Sequence, residues 1–185
     1  MKRSLKILSL FSTLVFIQSC GGISSIYNFN YPLTSETAKS KSSALSVKIP
    51  KGWSVIEDNE CKCTDLWLVK DDYSATLNFV VFNLDSLTTD NIRSDEINSL
   101  VQLSKAFIKA KYGNEFKGFT NDEMFELNKN KFAAYQYLDE KTRNIRVIIL
   151  KSGKKYYELS AIPVKTKNLT DLFRTQNSVL TSISY

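Results

Sequence analysis

The 185-residue chain contains no histidine. That removes the commonest general base and the commonest metal ligand together, so neither a Ser-His-Asp nor a Cys-His site can be assembled from it. Glycine numbers six and proline three, and no glycine cluster has the spacing of a phosphate-cradling loop. Cysteine numbers three: Cys20, Cys61 and Cys63. One C-x-C pair lacks the second ligand pair of a strong zinc signature. The one long apolar run, Leu5 to Ile17, is short of the roughly 20 residues a membrane-spanning helix needs.

That run has a different use. Lys2, Arg3 and Lys6 precede it, and Ser19 closes it before Cys20: a basic segment, an apolar segment and a small residue at the cut describe a secretory signal over residues 1–19. Ile17-Gln18-Ser19-Cys20 resembles the lipobox of bacterial lipoproteins. The resemblance implies thioether attachment of diacylglycerol to Cys20, cleavage before it, and acylation of the new amino terminus, palmitate being a usual chain. Two or more acyl chains hold firmly where one holds marginally. An ordinary signal cut with Cys20 free is the plainer alternative. Gly21 stands where some bacteria place the aspartate that retains lipoproteins at the inner membrane, so the expected address is the cell envelope, at the outer membrane facing the periplasm.

Removing residues 1–19 lowers the formal charge from +6 to +3. The remainder suits one domain with a core of its own, and eleven Phe with nine Tyr argue against disorder. The charge is uneven: residues 20–128 carry 11 Lys/Arg against 15 Asp/Glu, and residues 129–185 carry 11 against 4. Such asymmetry signals either an anionic partner or lysines solvated in hairpin turns. No basic amphipathic helix or aromatic-interleaved groove accompanies it, and nucleic acid is not an expected partner.

Residues 20–43 are rich in Ser, Thr, Asn and Gly without a clean period, and read as a lipidated N-terminus with a flexible tether of about 25–30 Å r.m.s. reach. Its aromatic residues Tyr27, Phe29 and Tyr31 suit packing on the domain or a membrane surface. The domain is expected over residues 44–185. Leu45, Val47 and Ile49 alternate, as do Trp53 and Val55, predicting strands around Pro50-Lys51-Gly52. DLWLVK and SATLNFVVFNL predict two more, the second apolar on both faces from Phe79 to Phe82 and so central. Ser94 is a candidate N-cap, with Asp95 and Glu96 in the first turn. Ile97, Leu100, Val101, Ser104, Phe107 and Ile108 then form one helical face up to Tyr112-Gly113.

MFELN, KFAAYQYL, IRVIILK and KYYELSAI follow, joined by separators short enough for an antiparallel meander. A closing helix presents Leu169, Leu172, Phe173, Gln176, Val179, Leu180 and Ile183. Grouped strands and helices predict an α+β fold, an antiparallel sheet with helices packed on its faces.

Ile49-Pro50-Lys51-Gly52-Trp53 resembles the opening of PsbP-like domains, a superfamily that also includes the yeast Ran release factor and the bacterial lipoprotein DcrB. Residues Val179 to Tyr185 resemble the close of such domains. The resemblance spans Ala44 to Tyr185 and implies an α/β/α sandwich whose known members mostly bind and stabilise other proteins. It carries no shared catalytic residues, and no enzyme activity or cofactor is expected.

Glu57 to Asp65, EDNECKCTD, is the one stretch that clusters ligand-type side chains. Cys61 and Cys63, with Asp58, Glu60 and Asp65, suit a soft cation, an i,i+2 disulfide or free thiols; the oxidising compartment favours the disulfide. No metal site is assigned. Trp53 and Trp67 read as core before they read as a groove. Asp71-Asp72 and Asp139-Glu140 fall in predicted turns, where adjacent carboxylates point into water. The expected function is therefore a non-catalytic envelope lipoprotein that binds or stabilises a protein complex. The alternative is a small-ligand or metal-ion carrier.

Overall fold

The computed structural model describes residues 29–57, 63–82, 84 and 96–184. The signal segment, Cys20, Asp58, Glu60, Cys61, Ser94 and Asp95 lie outside the described residues.

Among the described residues, nine strands and two α-helices follow one another, with a 3-10 turn at Gly113–Glu115: β1 (Leu33–Lys39), β2 (Ser46–Pro50), β3 (Trp53–Val55), β4 (Leu66–Lys70), β5 (Ala75–Val81), α1 (Glu96–Tyr112), β6 (Phe119–Leu127), β7 (Asn130–Leu138), β8 (Asn144–Ser152), β9 (Lys155–Pro163) and α2 (Leu169–Thr181). Strands β3 to β9 form one antiparallel sheet in the order β3-β4-β5-β9-β8-β7-β6. The predicted meander is present as β6 to β9, and β5 is interior, between β4 and β9. Gly153 turns β8 into β9 at φ 60°, a left-handed conformation that glycine adopts without a Cβ penalty.

Strand alternation sorts the sheet into two faces. Leu66 and Leu68, Leu77 and Phe79, Ile148 and Leu150, with Leu159, point to one core. Ala133, Tyr135, Val147 and Ile149 point to the other. Phe79 and Leu77 are fully buried, and burying each stabilises by about 2 kcal/mol. Helix α1 rests on the second face through Ile97, Leu100 and Val101. Helix α2 rests on the first through Leu172, Phe173, Val179 and Leu180. Its start is capped by Asn168, whose side-chain oxygen accepts from Asp171 N at 3.0 Å. The fold is α+β, with helices on both faces of an antiparallel sheet.

Three expectations are corrected. Residues 33–39 are not tether: they form β1, which pairs antiparallel with β2 from Leu33↔Pro50 to Lys39↔Ser46. The two-stranded ribbon shares the layer of α2, with Ala38, Val47 and Ile49 in its core. Tyr31 N donates to Ser178 Oγ at 2.9 Å, so contact with the domain begins ahead of β1. Ser178, off the apolar face of α2, is buried where the chain leading into the ribbon meets it. After α2, Ser184 bridges to Ser46.

Phe107, expected on the buried face of α1, is 61% exposed. The helix lies over β7 and β8, so its later turns overhang the neighbouring strands without sealing onto them. Asp139, expected in water, is 3% exposed. Its carboxylate is turned inward to accept from Lys141 N at 3.0 Å, Arg143 N at 2.8 Å and Arg143 Nε at 2.7 Å. Glu140, beside it, is exposed as expected.

Candidate functional site

The overhang of α1 leaves a cavity of about 420 Å³ between the helix and the sheet. Val80 from the end of β5 and Phe82 just after it, Leu103 and Phe107 from α1, and Val147 from β8 supply apolar walls. Glu158 and Ser160 enter from β9, and Tyr137 and Lys111 stand toward the far end of the helix. Register explains the polar entries. Glu158 lies opposite Val80 on β5 and Ile149 on β8, which turns it to the α1 side while Tyr157 and Leu159 fill the other core.

Glu158 does not stand alone. Ser104 Oγ donates to Glu158 Oε1, and the same hydroxyl bonds Tyr135 OH. Ser104 and Tyr135 are fully buried, and Glu158 is half-buried at the cavity wall. Burial pushes the Glu158 carboxyl above the usual glutamate range, against the opposing pull of the Ser104 hydrogen bond. Tyr135 is pushed far up by burial and then by the neighbouring Glu158 charge. Tyr137 rises through burial and its contact with Tyr112. The phenols are therefore fixed as neutral hydrogen-bonding groups. Glu158 is the acidic side chain on the cavity wall.

The opposite face holds a second polar cluster. Arg146, 1% exposed, donates through Nη1 to Gln176 Oε1 at 3.0 Å and Asn177 Oδ1 at 2.7 Å, and through Nη2 to Glu123 Oε1 at 2.7 Å. Its guanidinium carbon lies 5.8 Å from the centre of the Phe173 ring. Gln176 Nε2 returns hydrogen bonds to the carbonyls of Leu159 and Arg146. This cluster ties α2 to β6, β8 and β9 through the two guanidinium Nη groups and the Gln176 amide. It is a structural clamp.

The sequence-derived candidates fall elsewhere. Cys63 is disulfide-bonded; Cys20 and Cys61, the other two cysteines, lie outside the described residues. Among the described residues no group of three His, Cys, Asp or Glu is placed to hold a metal ion, and no helix is long and apolar enough to cross a membrane. Trp53 is core, at 6% exposure. Trp67 is half-buried, with its indole nitrogen covered and unbonded. Asp71 accepts from Ser54 Oγ at 2.8 Å, and Asp72 from Ser74 N at 2.9 Å, so both fasten turns.

Sequence reasoning places Ser104 on the inner face of α1 but does not single out Glu158 or Arg146. The available signal was a charged residue at an interior strand position between apolar neighbours, as in Tyr157-Glu158-Leu159 and Ile145-Arg146-Val147.

No family model and no curated protein sequence matches the chain. Among solved structures, the solution structure of cyanobacterial PsbP (CyanoP) from Synechocystis sp. PCC 6803 is similar over 91% of this chain and 98% of that one. The TM-score is 0.57 and the identity 13%. A crystal structure from Bacteroides thetaiotaomicron aligns with 83% of this chain and 48% of that one, at a TM-score of 0.38 and 13% identity. The fold is PsbP-like, as the Ile49-to-Trp53 resemblance implies.

Proposed function

We propose that this chain is a non-catalytic lipoprotein of the cell envelope, held by acyl chains on Cys20, whose PsbP-like domain binds and stabilises a protein complex on the periplasmic side of the outer membrane. The observation that carries the reading is the polarity of the domain. The chain enters at one end, where Lys51 N donates to Pro32 O at 2.9 Å and Tyr31 OH to Lys51 O at 3.1 Å. Strand β1 then runs to the other end, where Ser43 Oγ and Tyr157 OH lie 2.6 Å apart and Lys155 Nζ donates to Ser42 O.

The turns β6–β7 and β8–β9 share that far end, carrying Lys129, Lys131, Lys154 and Lys155, with Lys41 from the β1–β2 turn. From Cys20 to Phe29 the chain extends at most about 35 Å. An anchor there would hold the near end toward the lipid and leave the lysine-tipped end facing outward. Positive tips on short, well-braced turns suit an acidic patch on a partner protein, where charge sets approach and orientation more than affinity.

Crosslinking in intact cells of the native host tests this. The wild-type protein should give a discrete heteromeric product. A K129E/K131E/K154E/K155E variant, with unchanged thermal unfolding, should lose it. Equal crosslinking by both proteins, or no product other than self-adducts, would remove the proposed docking end.

A further inference from the structure

We propose that the cavity beside α1 is a binding site for a small amphiphile that carries a primary ammonium group, with its apolar body against Val80, Phe82, Leu103 and Phe107 and its charged head at Glu158. The inference does not depend on the anchor or on the protein partner.

The volume, about 420 Å³, falls in the range of small-molecule sites, which are mostly apolar with a few convergent polar groups. Phe107 agrees with this. A phenyl ring 61% exposed at the cavity rim loses apolar contact in the empty protein and regains it against a ligand chain.

The head group follows from charge. Glu158 is the acidic side chain on the wall, and among the described residues its Oε2 accepts no hydrogen bond, Ser104 being bound to Oε1. A carboxylate held in a largely apolar wall is costly unless paired; an ammonium supplies both the counter-charge and donors for the second oxygen. A carboxylate ligand would meet repulsion at the same place. Lys111 lies seven residues beyond Ser104, about 10 Å along the helix, and disfavours a second cation at that end. The head is thereby directed to Ser104 and Glu158, with the body running toward Phe107.

The test is calorimetric titration of the purified full chain with n-octylammonium, octanoate and octanol, each below its micellar concentration, with amide chemical shifts locating the site. Octylammonium should bind saturably, one per chain, shifting the amides of Ser104 and Glu158. Octanoate should bind at least tenfold more weakly. E158Q, which keeps an acceptor for Ser104, should weaken octylammonium at least tenfold and leave octanol unchanged. L103W, which fills the cavity, should remove binding of both and serves if E158Q does not fold. No saturable binding of octylammonium, equal affinity for octanoate, or retained affinity in a folded E158Q or L103W protein would each overturn the site.

Discussion

Arg146 Nη2 lies 2.7 Å from Glu123 Oε1 in an ion pair whose arginine side chain is 1% exposed and whose glutamate side chain is 16% exposed. The pair joins β8 to β6 across the buried strand β7, where a hydrophobic contact would have been the simpler solution. Removing one member of such a pair leaves the other charge to be desolvated without compensation, which typically costs 3–5 kcal/mol. R146M should therefore destabilise the domain by about 3 kcal/mol in urea unfolding, although Met fills much of the same space. E123Q, which keeps an acceptor, should cost about 1 kcal/mol. A loss under about 1 kcal/mol for R146M would mean the clamp is dispensable.

Asp139 should make stability fall in acid. Burial tends to raise its carboxyl pKa, but the side-chain and backbone hydrogen bonds of Arg143 outweigh that and hold it below the ordinary 3.8. A group depressed on folding contributes fully above its unfolded pKa and loses that contribution as pH falls through the folded value. D139N should be less stable than wild type by about 2 kcal/mol at neutral pH. The gap should close as pH drops below the ordinary aspartate range. Unfolding curves of the two proteins at a series of pH values read this directly.

Glu158 has the opposite sign. Its folded pKa is raised by burial above the ordinary 4.5, so the folded state binds the proton more tightly than the unfolded chain. Stability then falls as pH rises from the ordinary glutamate range through the folded pKa. E158Q lacks the burden of the charge and should unfold at a higher temperature than wild type at pH 8, with the difference vanishing in acid. The groups facing Glu158 are Ser104, Tyr135 and Tyr137, with Lys111 at the cavity mouth. Both phenols stay neutral through this range. A lower melting temperature for E158Q at pH 8 would contradict the raised pKa.

Strand β1 is part of the folding unit. A chain beginning at Phe29 should match the mature protein in stability. One beginning at Ala44 loses the β1–β2 ladder, the Tyr31–Ser178 hydrogen bond and the Ser43–Tyr157 contact. It should unfold at markedly lower denaturant concentration, with the β2 side of α2 uncovered. Equal midpoints would return residues 29–43 to the role of a spacer.

These sites also show what could be read from residues alone. The meander was legible because each strand alternates and each separator is too short for anything but a hairpin. Helix α1 was legible from Ile97, Leu100, Val101 and Ser104 at helical spacing. Strand β1 was not: LTSETAK buries only Ala38, and its register comes from β2, a partner that propensity cannot see. Phe107 follows the same spacing as its buried neighbours; its exposure arises from where the helix crosses the sheet. The Arg146 and Ser104–Glu158 contacts join residues 23 to 54 positions apart, so their chemistry exists only after the strands have found their order.

The most direct measurement is the intact mass of the protein extracted from membranes of its native host. The account predicts a chain that begins at Cys20 and carries the added mass of a diacylglyceryl thioether and an amide-linked acyl chain. A chain retaining residues 1–19, or one with Cys20 unmodified, would contradict it.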